Sequence, residues 1–339
     1  MNTIGSRFRF TSFGESHGVA VGGVIDGCPA GLIIDFDAIE HDLDRRSGRV
    51  DNPFATSVRA KNEADTIEWL SGLNDCKTLG TPIAFLVRNS DVHSADYDSL
   101  RDVCRPGHAD FTYLQKYGKQ VSGGGRASAR ETVARVVAGG IAKQILKAKG
   151  VSINAQIVQV GAEKGNSKWA DYVRDIAACG DSIGGIVRCV ISGMPVGIGE
   201  PIFDKVQSRL AAAMLSINAC KGFDYGSGFE GVEKRGSELN DCYEKVDASP
   251  LHIKPKTNHA GGLLGGITTS EDIVFRCVFK PVPSIAMTQH TVDNDGTPIE
   301  LQIKGRHDAC FLPRVLPVVE AMAAITILDA YLLQQAKTI

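Results

Sequence analysis

The 339-residue chain has little net charge. Its 37 lysines and arginines stand against 39 aspartates and glutamates, a formal net charge of −2. No global field therefore draws it to nucleic acid or to an anionic membrane, and any anion must be held by arginines gathered locally. The nine cysteines are widely spaced and form no C-x-x-C pair. That argues against a disulfide or zinc framework and predicts the reduced thiols of a cytoplasmic protein. There is no H-E-x-x-H, so no metal site is expected, and no G-x-x-x-x-G-K-[ST], so no Walker phosphate loop. "MNTIGSRFRFTSFGESHG" at the N-terminus has no apolar core and does not read as a secretory leader. The most apolar segment, Val315–Leu333, is interrupted by Pro317, Glu320 and Asp329, which predicts a buried helix rather than a membrane span.

Glycine, by contrast, is plentiful. The 37 glycines cluster, exceed the usual share of about 7%, and let backbone turn tightly or approach a ligand closely. With 43% hydrophobic and 22% charged residues, the composition is that of a globular chain able to bury a sizeable core.

The chain also repeats itself. "VIDGCPAGLIIDFDAIEHDL" (Val24–Leu43) and "VISGMPVGIGEPIFDKVQSRL" (Val190–Leu210) share V-I-x-G-x-P-x-G, then Phe-Asp and a helical pattern. Each predicts strand, turn and helix, with Asp37 and Asp204 early in their helices, at the positive end of the dipole. "GRASARETVARVVAGGIAKQIL" (Gly125–Leu146) and "GRHDACFLPRVLPVVEAMAAITIL" (Gly305–Leu328) both place Gly-Arg before an Arg-Val and an apolar helix. Two related halves, roughly 1–150 and 180–339, are expected to pack as a single domain over 1–339, since no charged or Pro/Ser-rich linker divides them. "RFRFTSF", "VAVGGVIDG", "IVRCVIS" and "DIVFRCVFK" read as antiparallel strands with helices between or beside them, an α+β arrangement.

Two patterns are decoys. "GESHG" (14–18) fits the G-x-S-x-G elbow of serine hydrolases, but "VAVGGVIDG" after it reads as a strand where an elbow needs a helix. Residue 16 also leaves no room for the preceding strands, so Ser16 is not a nucleophile. "GSGFEG" (226–231) matches a dinucleotide fingerprint, with neither a clear strand before it nor an apolar helix after it, and reads as a loop.

The surviving constellation centres on "SGGGRASARETVARVVAGGIAKQIL" (Ser122–Leu146). Ser128 and Glu131 fit a capping box at a helix start. Val133, Val136, Val137, Ile141 and Ile145 mark an apolar face, and Ala138-Gly139-Gly140 would let the helix press on a neighbour. Three glycines, a helix N-terminus and the forks of Arg126 and Arg130 together suit a phosphate or another anion. The alternative at this point is a glycine-rich connection whose arginines pair with surface carboxylates. Arg45, Arg46, Arg306 and Arg314 stand in comparable settings. His17, His108 and His307 each lie in a polar, glycine-flanked context, a choice of proton donor suited to neutral pH.

Taken together, "TSFGESHG" (11–18), "RPGHADFTYLQKYG" (105–118), "GGGRASARET" (123–132), "MLSINACKG" (214–222), "NHAGGLLGG" (258–266) and "KGRHDAC" (304–310) give a chain that resembles the chorismate synthases over nearly its whole length. The resemblance implies a β-α-β sandwich, with a helical layer between antiparallel sheets, assembled as a homotetramer. It implies a lyase of the shikimate pathway that converts 5-enolpyruvylshikimate 3-phosphate to chorismate and phosphate by 1,4-anti elimination. Reduced FMN is required although there is no net redox change.

By the same resemblance His17 is the general acid that protonates the departing phosphate, with Ser16 at most helping to hold substrate. His108 lies near the flavin N1 and C2 carbonyl, and Asp308 relays a proton near N5. A phosphate with second pKa of about 6 and a histidine of about 6.5 are well matched for that transfer. Flavin contacts fall on Arg126, Ala127, Ser128, Asn218, Ala219, Gly265, Lys280, Pro281, Val282, Pro283, Ser284 and Arg306, and substrate contacts on Arg46, Arg130 and Arg314. Several planar forks orient a small polyanion as well as neutralising it. The chain departs from the family in Ala309, where members usually carry proline, and in "RASAR", where they often carry R-x-S-S-A-R. Residues 47–61, with Arg49 and Arg59, receive no ligand role. No long insertion suggests an intrinsic NAD(P)H-dependent flavin reductase, so an external reductant is expected. A flavin- or phosphate-binding protein without catalysis is the alternative.

Overall fold

The computed structural model describes residues 1–50, 52–54, 65–89, 100, 102–246, 253–303 and 308–336. Two antiparallel sheets face each other across a layer of helices. The first has the strand order Thr3–Ile4, Arg9–Gly14, Ala20–Asp26, Ile83–Arg88, Ile67–Ser71. The second runs Cys220–Tyr225, Ile273–Phe279, Gly185–Ser192, Ser152–Val160. The strand pairs expected from sequence form: Phe10 lies opposite Ile25, and Phe275 opposite Cys189. In both sheets alternation decides the inner face, as a period of two requires. Ile83, Phe85 and Val87 point inward on one side, and Ile273, Phe275, Cys277 and Phe279 on the other.

Between the sheets, helix Thr132–Lys147 packs against the first and the C-terminal helix Leu312–Gln335 against the second, with extensive contact between the two. They approach closely because Gly139 lacks a side chain. A Cβ there would lie 2.2 Å from that of Ala321. Ile39, from helix Phe36–Ser47, meets Gly140 in the same way. The Ala-Gly-Gly stretch thus does what its composition suggested.

By length and composition the C-terminal helix could cross a bilayer. Here it is a core element, and its polar residues are satisfied inside the protein. Glu320 accepts both nitrogens of Arg45 (2.8 and 3.0 Å), Lys143 Nζ (3.2 Å) and the Ala155 N–H (3.1 Å). Burial works against the Glu320 carboxylate, but Arg45 and Lys143 outweigh it and hold the carboxyl below its ordinary range. Asp329 accepts the N–H groups of Ser6 and Phe8 (3.0 and 2.8 Å) and pairs with Arg209.

The repeated segments occupy matching places. Val24–Ile25 and Val190–Ile191 both lie in strands that lead through a turn to a helix, Phe36–Ser47 in one case and Val206–Leu215 in the other.

Three local expectations need correction. Asp37 is in the first turn of its helix, but Asp204 precedes the second helix, which begins at Val206. The capping box does not close, because a 3-10 turn over Ala129–Glu131 comes first and the α-helix begins at Thr132. Glu131 is thereby moved out of the third helical position and pairs with Arg135 at 2.8 Å, while Ser128 accepts the Arg130 N–H at 3.4 Å. Finally, "GSGFEG" does follow a strand, Cys220–Tyr225. What comes next is a 3-10 segment and not an apolar helix, so the dinucleotide reading still fails.

Candidate active site

The G-E-S-H-G stretch is the connection between strands Arg9–Gly14 and Ala20–Asp26. Gly18 N–H closes it onto the Glu15 carbonyl at 3.0 Å. With strands on both sides, Ser16 is not at an elbow, and its Oγ donates to the Gly123 carbonyl at 3.0 Å. His17 lies against the same glycine, where a Cβ would fall 2.3 Å from ring Nε2. Gly123 also has φ +65°, as Gly124 and Gly125 have positive φ of 81° and 52°. Only glycine accepts both the left-handed backbone and the ring contact.

Asp65 organises the arginines beside this loop. Its carboxylate, 1% exposed, takes Arg46 at 2.9 Å on one oxygen and Arg130 on the other. Burial disfavours its charge, yet the two guanidiniums win and keep its carboxyl below the usual range. Arg46 is buried, and its Nε has no partner among the described residues. Burial, opposed by Asp65 and reinforced by nearby Arg314 and Arg130, lowers its pKa. Arg314 donates from Nε to the Arg46 carbonyl (3.1 Å) and pairs with Asp308. Arg46, Arg130 and Arg314, named from sequence as substrate contacts, therefore do converge, and Asp308 is joined to them. Arg45 does not belong with them, since it turns into the core toward Glu320.

A second chain of contacts gathers much of the set that the sequence resemblance assigned to a flavin. Asn218 Nδ2 donates to the Ala127 carbonyl at 2.8 Å, while its buried Oδ1 has no partner among the described residues. Ala219 follows with φ +66°, and its carbonyl accepts the Lys280 N–H at 3.0 Å. Lys280 Nζ donates to the Gly107 carbonyl at 2.7 Å, and Ser182 Oγ to that of Val282 at 2.6 Å. Gly107 lies so close to Pro283 that a Cβ would come within 2.8 Å. His108 is held between Pro106 and Ser284. Nδ1 donates to the Pro106 carbonyl (3.0 Å), and Nε2 meets Ser284 Oγ (2.9 Å). Burial first, then Arg105, depresses its pKa. In the neutral ring the Nδ1 proton is committed to a carbonyl, so Nε2 accepts from the Ser284 hydroxyl.

Other members lie apart. Arg126 gives its guanidinium to the first sheet, at Gly14 O (3.2 Å) and Ser12 Oγ (2.6 Å). Gly265 is in the turn between Leu263–Leu264 and Ile267–Thr268, and Leu264 lines a separate cavity of about 730 Å³ with Tyr225, Asp241 and His259. Arg306, His307 and Arg59 lie outside the described residues. Arg49, left unassigned, pairs with Asp44 at 2.5 Å.

A family model described as chorismate synthase matches residues 8–332. The chorismate synthase of Azobacteroides pseudotrichonymphae is 49% identical, with 98% of this chain and 99% of that protein covered. That of Phocaeicola vulgatus is 48% identical with 98% of each covered. A crystal structure of a chorismate synthase superposes with a TM-score of 0.73 at 28% identity, covering 98% of this chain and 93% of that one. The chain belongs to the chorismate synthase family. It is an enzyme of that family, and its α+β fold is the family's fold.

Against the family pattern, Ala309 replaces a proline next to Asp308. Ala309 is buried, and its carbonyl accepts the Ile183 N–H at 2.7 Å, so backbone pairing and the Arg314 ion pair hold this turn. Two residues of the site escaped the sequence reading, Asp65 and Asn89. Neither belongs to a motif with chemical spacing. Asn89 follows strand Ile83–Arg88, whose register sets Arg88 opposite Ala20, and only that register carries it to the G-E-S-H-G loop.

Proposed function

We propose that the protein converts 5-enolpyruvylshikimate 3-phosphate to chorismate and phosphate by 1,4-anti elimination, with reduced FMN as cofactor. The observation that carries this reading is the convergence of Arg46, Arg130 and Arg314 on one network beside the loop that holds His17 against Gly123. Three guanidiniums suit a small substrate with carboxylate and phosphate groups, because each fork supplies direction as well as charge.

The residues fit a flavin. Asn218 Oδ1, without a partner among the described residues, is a buried acceptor beside the left-handed Ala219, and Lys280, whose N–H pairs with the Ala219 carbonyl, supplies ammonium donors nearby. Asn218, Ala219, Lys280–Ser284, Ala127, Ser128 and His108 would hold it, with Arg126, Gly265 and Arg306 as further contacts. When bound, reduced FMN supplies electron density to the leaving-group end of the elimination and recovers it by the end of the turnover.

His17 donates a proton to the departing phosphate. Arg46, Arg130 and Arg314 bind the anionic groups and keep water from competing for them, and Ser16 holds the His17 loop to Gly123. Asp308, oriented by Arg314, takes up the proton that the substrate loses from C6 as the C6–H bond breaks and the new double bond forms. A neutral His108 donates from Nδ1 to Pro106 and leaves its other face to Ser284. The chain works as one domain over 1–339 in a cytoplasmic homotetramer and draws reduced flavin from an external reductant, not from NADPH of its own binding.

The test is anaerobic phosphate release from 5-enolpyruvylshikimate 3-phosphate with photoreduced FMN, with and without NADPH. Release in step with chorismate is expected with photoreduced flavin alone, and none with oxidised FMN plus NADPH. FMN binding without phosphate release would make the protein a non-catalytic binder and end the proposal.

A further inference from the structure

The loop carrying His17 is fastened by an amide whose polar atoms are all engaged. Asn89 Nδ2 donates to the carbonyls of Glu15 (3.0 Å) and Gly18 (2.8 Å), at the two ends of the turn that contains His17. Its Oδ1 accepts from Arg130 Nε at 2.9 Å. Its backbone N–H donates to the Val19 carbonyl at 3.1 Å. From the other side, Arg130 is held by Asp65 and by the Arg88 carbonyl at 3.2 Å.

We propose that Asn89 is a positioning residue that sets the His17 loop at a fixed separation from the guanidinium of Arg130. The proposal rests on the function given above. His17 and Arg130 come from different elements, a strand connection and the turn before a helix, so their spacing is set by tertiary contacts, and the Asn89 amide bonds both the His17 loop and the Arg130 guanidinium. Proton transfer requires a heavy-atom approach of roughly 2.6–3.2 Å, and the arginine places the atom that must receive the proton. A side chain here needs two N–H donors for the carbonyls and one acceptor for the guanidinium. Asparagine supplies all three. Aspartate keeps the acceptor, loses both donors and turns negative charge on two carbonyl oxygens. Alanine loses everything.

The experiment compares the full chain with its Asn89→Asp and Asn89→Ala variants, anaerobically, with photoreduced FMN and 5-enolpyruvylshikimate 3-phosphate. In Asn89→Asp, kcat is expected to fall on the order of 10- to 100-fold, with KM within about threefold because the Arg130 contact survives. In Asn89→Ala both parameters worsen. Combined with His17→Ala, Asn89→Asp causes no further loss of kcat, since groups acting through one another are not additive. Hydrogen exchange in the Asn89→Asp protein rises over 14–19 and stays unchanged over 132–147 and 312–335.

A wild-type kcat in Asn89→Asp, an additive loss in the double variant, or unaltered exchange over 14–19 each overturns the proposal. Should the unmodified protein release no phosphate, the functional reading falls, and exchange over 14–19 alone decides whether Asn89 fastens the loop. If Asn89→Ala does not fold, Asn89→Asp carries the test.

Discussion

The imidazole of His17 lies against the α-carbon of Gly123, with no room for a methyl group between them. Two segments separated by more than a hundred residues therefore share one contact, which ties the first-sheet connection to the turn that starts the central helix. Replacing Gly123 with alanine puts a Cβ 2.3 Å from His17 Nε2 and strains a φ of +65°. Phosphate release is expected to fall at least about tenfold, because small misplacements of reacting groups cost that much. FMN affinity, measured by fluorescence quenching, should change far less. His17→Ala should show the same split more strongly, and an equal loss of turnover and flavin affinity would contradict the role given to His17.

Asp65 compensates two buried or half-buried arginines, so Asp65→Asn leaves Arg46 and Arg130 without their shared counter-charge. Breaking a buried pair from one side costs about 3–5 kcal/mol. The pH dependence has a defined sign. The carboxyl is held below its unfolded value, so its contribution is complete above pH of about 4 and is lost as pH falls through the folded value. Urea unfolding at neutral pH and at acid pH checks both points. The variant should be less stable at neutral pH and should lose less on acidification than the parent.

His108 should remain neutral at pH 7, because burial and Arg105 lower its pKa. A depressed histidine stabilises the fold above its unfolded pKa of about 6.5, and that stability fades as pH drops through the folded value. Imidazole resonances followed against pH should titrate below the ordinary histidine range. Ser284→Ala removes the hydroxyl at Nε2 and should weaken FMN binding with little change in melting temperature. An ordinary or raised His108 titration would contradict this account.

Asp308 and Arg314 form an ion pair in the site. Asp308→Asn is expected to slow catalysis while the substrate-dependent change in the flavin spectrum persists. Near-normal turnover would remove Asp308 from the proton path.

Glu320 provides a contrast. It binds Arg45, Lys143 and the Ala155 amide inside the helical layer, and none of these three is a residue of the site. Glu320→Ala should cost about 3–5 kcal/mol in urea unfolding and leave FMN affinity nearly unchanged. A large loss of flavin binding in a fully folded variant would show that the core network reaches the site.

The sequence by itself determined the strands, the central helices and the glycine turns. Alternation in "IVRCVIS" and "DIVFRCVFK", the Ala-Gly-Gly notch and the three successive glycines are each legible over a few residues, although the groups they meet, such as Ala321 and His17, come from far along the chain. The ordered motifs were also enough to indicate the family. Local rules failed where a choice hung on one residue of offset. The 3-10 turn at Ala129–Glu131 displaced Glu131 from its capping position, and helix rotation sent Arg45 to the core while its neighbour Arg46 went to the site. Only the tertiary structure decided which arginines meet, and that Asp65 and Asn89 join them. Those contacts depend on strand register and on the packing of distant segments, and neither is encoded in the spacing of residues along the chain.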